Sequence, residues 1–275
     1  MRRFAVHPRI AVGLIVVGLA VVVVLGVRIF IRLSDYKVAI VTPKTNVHRE
    51  FSNDLGPRIY RVLHYHQEGD DGKLIALTFD DGPYPIFTPL LLDELKRLRV
   101  HATFFLIGRD AQQWPTLAHR VVADGNEVGD HTYSHPSDFN LESAAQVREE
   151  ILRGRNALWA ITHDPSVRWL MRPPHGRFSE LTLQVAQSLG YHVVLWTDDS
   201  GDFRNVTPQE LIEHAKRNAT RPEIILFHSG ELATIEALPT LVALFRAEGY
   251  RFVTVTELLR EAGTKAINHP IRRSL

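Results

Sequence analysis

The stretch LTFDDGPYP, Leu77 to Pro85, sets two carboxylates side by side after a short apolar run and just before Gly-Pro. Asp, Gly and Pro are ordinary turn formers, yet the pairing of Asp80 with Asp81 invites a chemical reading. Neighbouring side chains on a strand point to opposite faces, so both acids reach one site only if the strand breaks between them. Further on, DHTYSH places His131 and His135 four residues apart. On a helical turn that spacing would bring both imidazoles to one face, as a metal clamp requires. Two histidines and one carboxylate leave coordination positions open for water or substrate. A second carboxylate is then available to take a proton from water acidified by the cation. On this reading Asp81 holds a metal and Asp80 is the base, the cation offsetting their mutual repulsion.

Two other short stretches could complete such a site. In MRPPHG, Arg172 precedes two prolines and a glycine; the prolines stiffen the loop, and the guanidinium could hold Asp80 ionised by charge pairing. In LFH, His228 stands at the mouth of an apolar strand. A hydrolase that expels an amine needs a general acid, and either Asp199 or Asp202 could keep that histidine protonated.

The elements that must carry these residues alternate from about residue 58 onward. Strands are expected at 73–79, 102–107, 126–131, 168–172, 192–197, 223–228 and 251–255, all rich in β-branched and aromatic residues. Helical patterns fall between them. TLAHRVVADG ends on Gly125 as a C-cap, SELTLQVAQSLG starts on Ser179, and TPQELIEHAKRNA carries Thr207 as N-cap with Glu210 closing a capping box. Seven strand–helix units imply a parallel sheet, closed or open. Asp80, Asp81, His131, His135, Arg172, Asp199, Asp202 and His228 all fall at C-terminal strand ends, the face on which α/β barrels build their sites.

Composition narrows the partners. The 275 residues are 45% hydrophobic and 23% charged, a globular balance, and contain no cysteine, which excludes disulfides and thiolate ligands. Residues 1–57 hold eight Lys/Arg against three acids, a net of +5, so the remainder of this +1 chain carries −4. A mildly acidic main domain is a poor nucleic-acid binder. Residues 10–27 form an uncharged apolar run which, extended through Ile31, approaches the roughly 20 residues of a spanning helix. No small-residue cleavage site follows it, which favours a retained anchor over a signal peptide. The expected organisation is an anchor at 1–32, a linker at 33–69, a catalytic domain at 70–262 and a tail at 263–275.

TFDDGP, HTYSH, RPPHG, DDSGDF and LFH, in this order, resemble the five motifs of the polysaccharide deacetylase (NodB-homology) family, carbohydrate esterase family 4. The similarity spans about residues 70–262. It implies a distorted (β/α) barrel of about seven parallel strands and removal of N-acetyl groups from a glycan by a metal-dependent enzyme. One divalent ion is implied, zinc first, with cobalt, manganese or iron compatible with the same ligands. By the resemblance, Asp80 matches the base, Asp81, His131 and His135 the metal ligands, Arg172 the residue holding the base, His228 the general acid and Asp199 the acid that tunes it. His175, Asp202, Phe203 and Trp196 fall on the oxyanion and substrate side. Three residues depart from the family pattern: His175 and Phe203 replace other aromatics, and Ser229 stands where an acid is common.

The implied partners are an N-acetylated glycan (cell-wall, chitin-like or exported) and a membrane carrying the anchor, with the catalytic domain outside the cytoplasm. Two other readings compete: an amide or imide hydrolase of small metabolites on the same fold, and a non-catalytic, membrane-anchored glycan-binding module. A tether argues against the first, and the presence of both Asp80 and His228 against the second.

Overall fold

The structure is a computed structural model that describes residues 73–218 and 224–268. The apolar run at 10–27, and with it the expected anchor and linker, lies outside the described residues. Among the described residues no helix is long and apolar enough to cross a membrane.

Eight strands form one sheet among the described residues: β1 Lys73–Asp80, β2 Thr103–Leu106, β3 Glu127–Asp130, β4 Leu170–Met171, β5 His192–Val193, β6 Asp198–Asp199, β7 Ile224–His228 and β8 Tyr250–Phe252. Their order is β5-β4-β3-β2-β1-β7-β6, every pairing is parallel, and β8 pairs with the start of β1. The helices are α1 Phe87–Leu98, α2 Gly108–Gln113, α3 Pro115–Ala123, α4 Ala144–Thr162, α5 Glu180–Ser188, α6 Pro208–Asn218, α7 Leu232–Ala247 and α8 Val255–Asn268. The last runs past the expected boundary at 262.

β1 is buried from Ile75 to Asp80, as a central parallel strand covered on both faces must be. Its alternation sorts core from site. Phe79 stacks between Phe104 of β2 and Phe227 of β7 at centroid distances of 5.2 and 5.8 Å, in a cluster with Leu91, Leu95, Leu238 and Phe245 from α1 and α7. Thr78 and Asp80, the alternate residues, take the other face, where both meet Arg172.

The fifth expected strand resolves differently. The residues 192–197 were read as one strand; instead β5 pairs with β4 at one edge of the sheet, and β6, a few residues later, pairs with β7 at the other. The intervening backbone crosses from edge to edge. Val194 N–H still donates to Met171 O (2.7 Å) while Thr197 N–H already donates to Ile224 O (2.9 Å). One continuous stretch therefore curls the sheet into a barrel. Between the two pairings the carbonyls of Val194 and Leu195 accept from the Arg172 guanidinium at 2.9 and 2.8 Å. The expected capping box of Thr207 with Glu210 forms, the Glu210 carboxylate accepting from Thr207 N–H at 2.7 Å, and Ser179, the expected helix start, makes a further box with Thr182.

Candidate active site

At the end of β1 the chain leaves the strand through two left-handed residues, Asp81 (φ 69°) and Gly82 (φ 73°). This is the break that lets adjacent aspartates share a site, since a left-handed residue reverses the alternation of the strand. Non-glycine residues avoid this conformation, and three more of them, Thr132 (φ 65°), His135 (φ 56°) and His175 (φ 55°), stand around the same cleft. Such strain gathers at functional sites because the surrounding structure must hold it. The Ser229 hydroxyl lies 3.0 and 2.9 Å from the carbonyls of Asp80 and Asp81 and pins the turn.

His131 and His135 do converge, with ring centroids 4.7 Å apart, but not on a helical turn as their spacing suggested. They belong to the loop after β3, bent by the positive φ of Thr132 and His135. α4 holds that loop: Ser134 N–H and Oγ bond the Glu150 carboxylate at 2.8 and 3.0 Å, and Tyr133 N–H bonds Glu150 O.

Asp81, His131 and His135 each offer one ligand atom, all within 4.8 Å of one another. Asp81 Oδ1 is 3.6 Å from His131 Nε2 and 3.5 Å from His135 Nε2. The donor set fits a divalent cation. His131 Nδ1 sits 2.7 Å from Arg172 O; a carbonyl only accepts, so Nδ1 carries the hydrogen and the Nε2 lone pair faces the carboxylates, the orientation a metal-ligating histidine needs. Burial lowers the pKa of His131, and burial together with His175 lowers that of His135 to about 4. Both rings are thus neutral donors. Burial, and then the charge of Asp80, raises the pKa of Asp81 despite the favourable charge of His131. Among the described residues no lysine or arginine pairs with that carboxylate, and a bound cation would offset its repulsion with Asp80.

Asp80 is a cross-strand neighbour of His228 and only 4% exposed. Its Oδ1 accepts from Arg172 Nη1 at 2.6 Å, while Oδ2 lies 3.7 Å from His131 Nε2 and faces the ligand cluster. Arg172 is fully buried and reaches Asp80 from the end of β4, with Thr78 Oγ1 2.8 Å away and its guanidinium over the Phe105 ring.

The acid that orients His228 is Asp202. The match to Asp199 is corrected: Asp199 accepts from Gly201 N–H at 2.9 Å and pairs with Arg204 at 3.4 Å. Asp202 is 1% exposed. Its Oδ1 is 2.7 Å from His228 Nδ1, and its Oδ2 accepts from His228 N–H and the Thr234 hydroxyl. Two of the alternatives left by residue type are thereby reduced to one. Burial disfavours the imidazolium, but the Asp202 hydrogen bond and the charges of Asp80, Asp202 and Asp81 outweigh it and raise the His228 pKa to about 9. With Nδ1 engaged, Nε2 is the proton carrier.

Phe203, half exposed, meets the His228 ring edge-on at 5.3 Å, and exposed His175 does the same to His135 at 4.6 Å. Trp196, partly exposed, packs over the Gly176 backbone, where a Cβ would lie 2.5 Å from its ring, and props the 174–176 turn. Thr78, Ser229, Thr234 and Glu150 were not read as site residues. Thr78 carried a signal, two positions before Asp80 and therefore on the same strand face, and Ser229 carried one as the residue after His228.

A parallel α/β barrel that gathers a His/His/Asp ligand cluster and an aspartate–histidine pair at its C-terminal strand ends has the construction of a metal-dependent barrel hydrolase. The family model for polysaccharide deacetylases matches residues 67–194. A peptidoglycan-N-acetylglucosamine deacetylase of Bacillus cereus is 37% identical over 193 residues, covering 68% of this chain and 89% of that protein. The solved peptidoglycan deacetylase PdaC from Bacillus subtilis superposes with a TM-score of 0.65 at 30% identity, covering 74% of this chain and 97% of that one. A carbohydrate esterase family 4 pseudoenzyme, BA3943 from Bacillus anthracis, does so with a TM-score of 0.65 at 28% identity, covering 70% and 66%. The chain belongs to the polysaccharide deacetylase family.

Proposed function

We propose that the protein hydrolyses the N-acetyl groups of N-acetylhexosamine residues in a polysaccharide, releasing acetate and leaving a free amine on the sugar. The observation that carries this reading is the pair Asp80 and His228: cross-strand neighbours beside the ligand cluster, one oriented by its hydrogen bond from Arg172 and the other held protonated by Asp202. A module that only binds glycan needs neither.

Asp81, His131 and His135 would hold a divalent cation, which when bound would supply a Lewis acid to polarise the acetamide carbonyl and acidify water. Zinc suits two imidazoles and one carboxylate with positions left open. Asp80 takes the proton of the attacking water on Oδ2, because Oδ1 is occupied by Arg172. The water oxygen bonds to the carbonyl carbon, the C–N bond breaks, and His228 Nε2 gives its proton to the departing nitrogen so that a neutral amine leaves. Arg172 keeps Asp80 oriented throughout.

Acetate release from N-acetylglucosamine oligomers and peptidoglycan, measured on the metal-loaded full chain, tests the reading. The similarity to BA3943 favours one rival, a catalytically silent glycan binder; glycan binding without acetate from any N-acetylated polymer would establish it. Each of Asp81→Ala, His131→Ala and His135→Ala should lose bound metal and activity together, since a three-ligand site has none to spare. Mass-spectrometric metal analysis checks this, and full occupancy in any variant removes that residue from the ligand set.

The Asp202–His228 bond sets a pH limit. His228 is protonated below about 9, so activity should fall as pH rises through that value. Asp202→Asn removes the main cause that raises the pKa, and the alkaline limb of kcat should move toward ~6.5, the ordinary histidine value. An unmoved limb would mean that another group supplies the proton.

The apolar run at 10–27, flanked by basic residues and lacking a cleavage site, supports membrane anchoring with the catalytic domain outside the cytoplasm, where polymeric glycan is found. A mature N-terminus mapped near residue 30, or a catalytic domain protected from protease in intact cells, would overturn it.

A further inference from the structure

A second hollow, of about 270 Å³, is lined by Arg155, Asn156, Trp159 and Arg168. The first three belong to α4. Arg168 closes the 3₁₀ turn Pro165–Arg168 that leads into β4, so it lies before the strand, whereas Arg172 and the catalytic cluster follow strand ends. The two arginines carry the argument. Neither guanidinium makes a hydrogen bond or an ion pair with another described residue. Arg168 is not loose, however: its guanidinium lies 3.7 Å from the centroid of the Trp159 ring, a stacking that orients a planar cation and leaves its N–H edge free to donate.

The acids nearby are already committed. Asp130 lies close enough to Arg155 to feel its charge, but it is fully buried. Its oxygens accept from Thr132 N–H at 2.9 Å and the Tyr191 hydroxyl at 3.3 Å. Asp164 spends its carboxylate on the N–H groups of Ser166 and Val128 at 2.9 and 2.8 Å. Two guanidiniums and one side-chain amide thus border a single cavity, and no carboxylate among the described residues pairs with either guanidinium. Guanidinium forks are the donors best shaped for oxoanions.

We infer that the hollow between α4 and the 165–168 turn is a binding site for a phosphate-type oxoanion, either free or carried on an anionic polymer. The volume exceeds what one phosphate needs, leaving room for the group to which it is esterified. Arg155 and Arg168 donate to the oxygens, Asn156 adds an amide donor, and the Trp159 ring backs Arg168. On a glycan-processing enzyme such a site would hold a phosphate-bearing strand away from the catalytic cleft.

Isothermal titration of the full chain with inorganic phosphate, and separately with a glycerol-phosphate oligomer, tests the inference. Arg168→Gln, on an exposed side chain, should weaken phosphate binding about tenfold or more by removing charge-assisted hydrogen bonds, and the double variant with Arg155→Gln should abolish it. Acetate release from neutral N-acetylglucosamine oligomers should stay at the wild-type level in both. An oligomer that binds more tightly than phosphate identifies a polymer-borne ligand; equal affinity per group identifies the free ion. Phosphate affinity unchanged in Arg168→Gln, as expected of an anion sitting on the catalytic cluster, would overturn the inference, as would a wild type that binds neither probe.

Discussion

Asp80→Asn should lower kcat by about 10²- to 10⁴-fold, the range general base catalysis contributes, while metal content and fold persist. The asparagine keeps the size of the side chain and can still accept from Arg172 Nη1 through its carbonyl oxygen, where Asp80 Oδ1 now lies at 2.6 Å. The position that faces the ligand cluster becomes an amide, which cannot take a proton from water. KM for an N-acetylglucosamine oligomer should change little, because Asp80 acts on the attacking water and not on the sugar. Single-turnover acetate release together with metal analysis separates the outcomes. Loss of metal in this variant would show that Asp80, and not Asp81, is the ligand. Wild-type kcat would show that Asp80 is not the base.

Arg172→Met should be the most destabilising single substitution in the site, by about 3–5 kcal/mol, the cost of leaving one member of a buried ion pair without its partner. Arg172 is 0% exposed, and its loss strands more than a charge. Asp80 loses its counter-ion, and the carbonyls of Val194 and Leu195 lose the donors they meet at 2.9 and 2.8 Å. Urea denaturation of wild type and variant measures the effect. Arg172→Lys supplies the charge without the fork and should recover part of the stability and little of the activity, since one ammonium cannot serve both carbonyls and hold the Asp80 carboxylate in place. A methionine variant as stable as wild type would mean that the barrel closes without this side chain.

Much of this could be read before any coordinates. β1, β2 and β7 are apolar, β-branched and aromatic stretches, and their faces follow from alternation alone. Asp80, Asp81, His131, His135, Arg172 and His228 were found because chemistry demanded those residue types at strand ends. What escaped was set by tertiary contact. Stretch 192–197 has the composition of one strand, but the two edges it joins are known only once the other strands have curled. The helical spacing of His131 and His135 pointed to the wrong local geometry, since Thr132 and His135 adopt left-handed conformations that no residue-type preference announces. Asp199 and Asp202 are separated by a short turn, and only the left-handed Gly201 (φ 68°) and the burial of Asp202 decide which carboxylate meets His228. Ser229 looked like a missing acid; it is the clasp on the aspartate turn.

The crossing stretch between β5 and β6 also bears on how such a chain can vary. Loops that lead into helices can lengthen at small cost, because only one end of the insertion need find its register. Here both ends are already registered, β5 on β4 and β6 on β7, and the carbonyls between them are gripped by one side chain. Adding or deleting a single residue must turn one of the two strands over or pull Val194 and Leu195 away from Arg172. Either change reaches Asp80 or Asp202 within one contact. Insertions that broaden the substrates of this barrel should therefore collect in its strand-to-helix loops, and residues 192–199 should behave as a ruler whose length the catalytic site cannot allow to change.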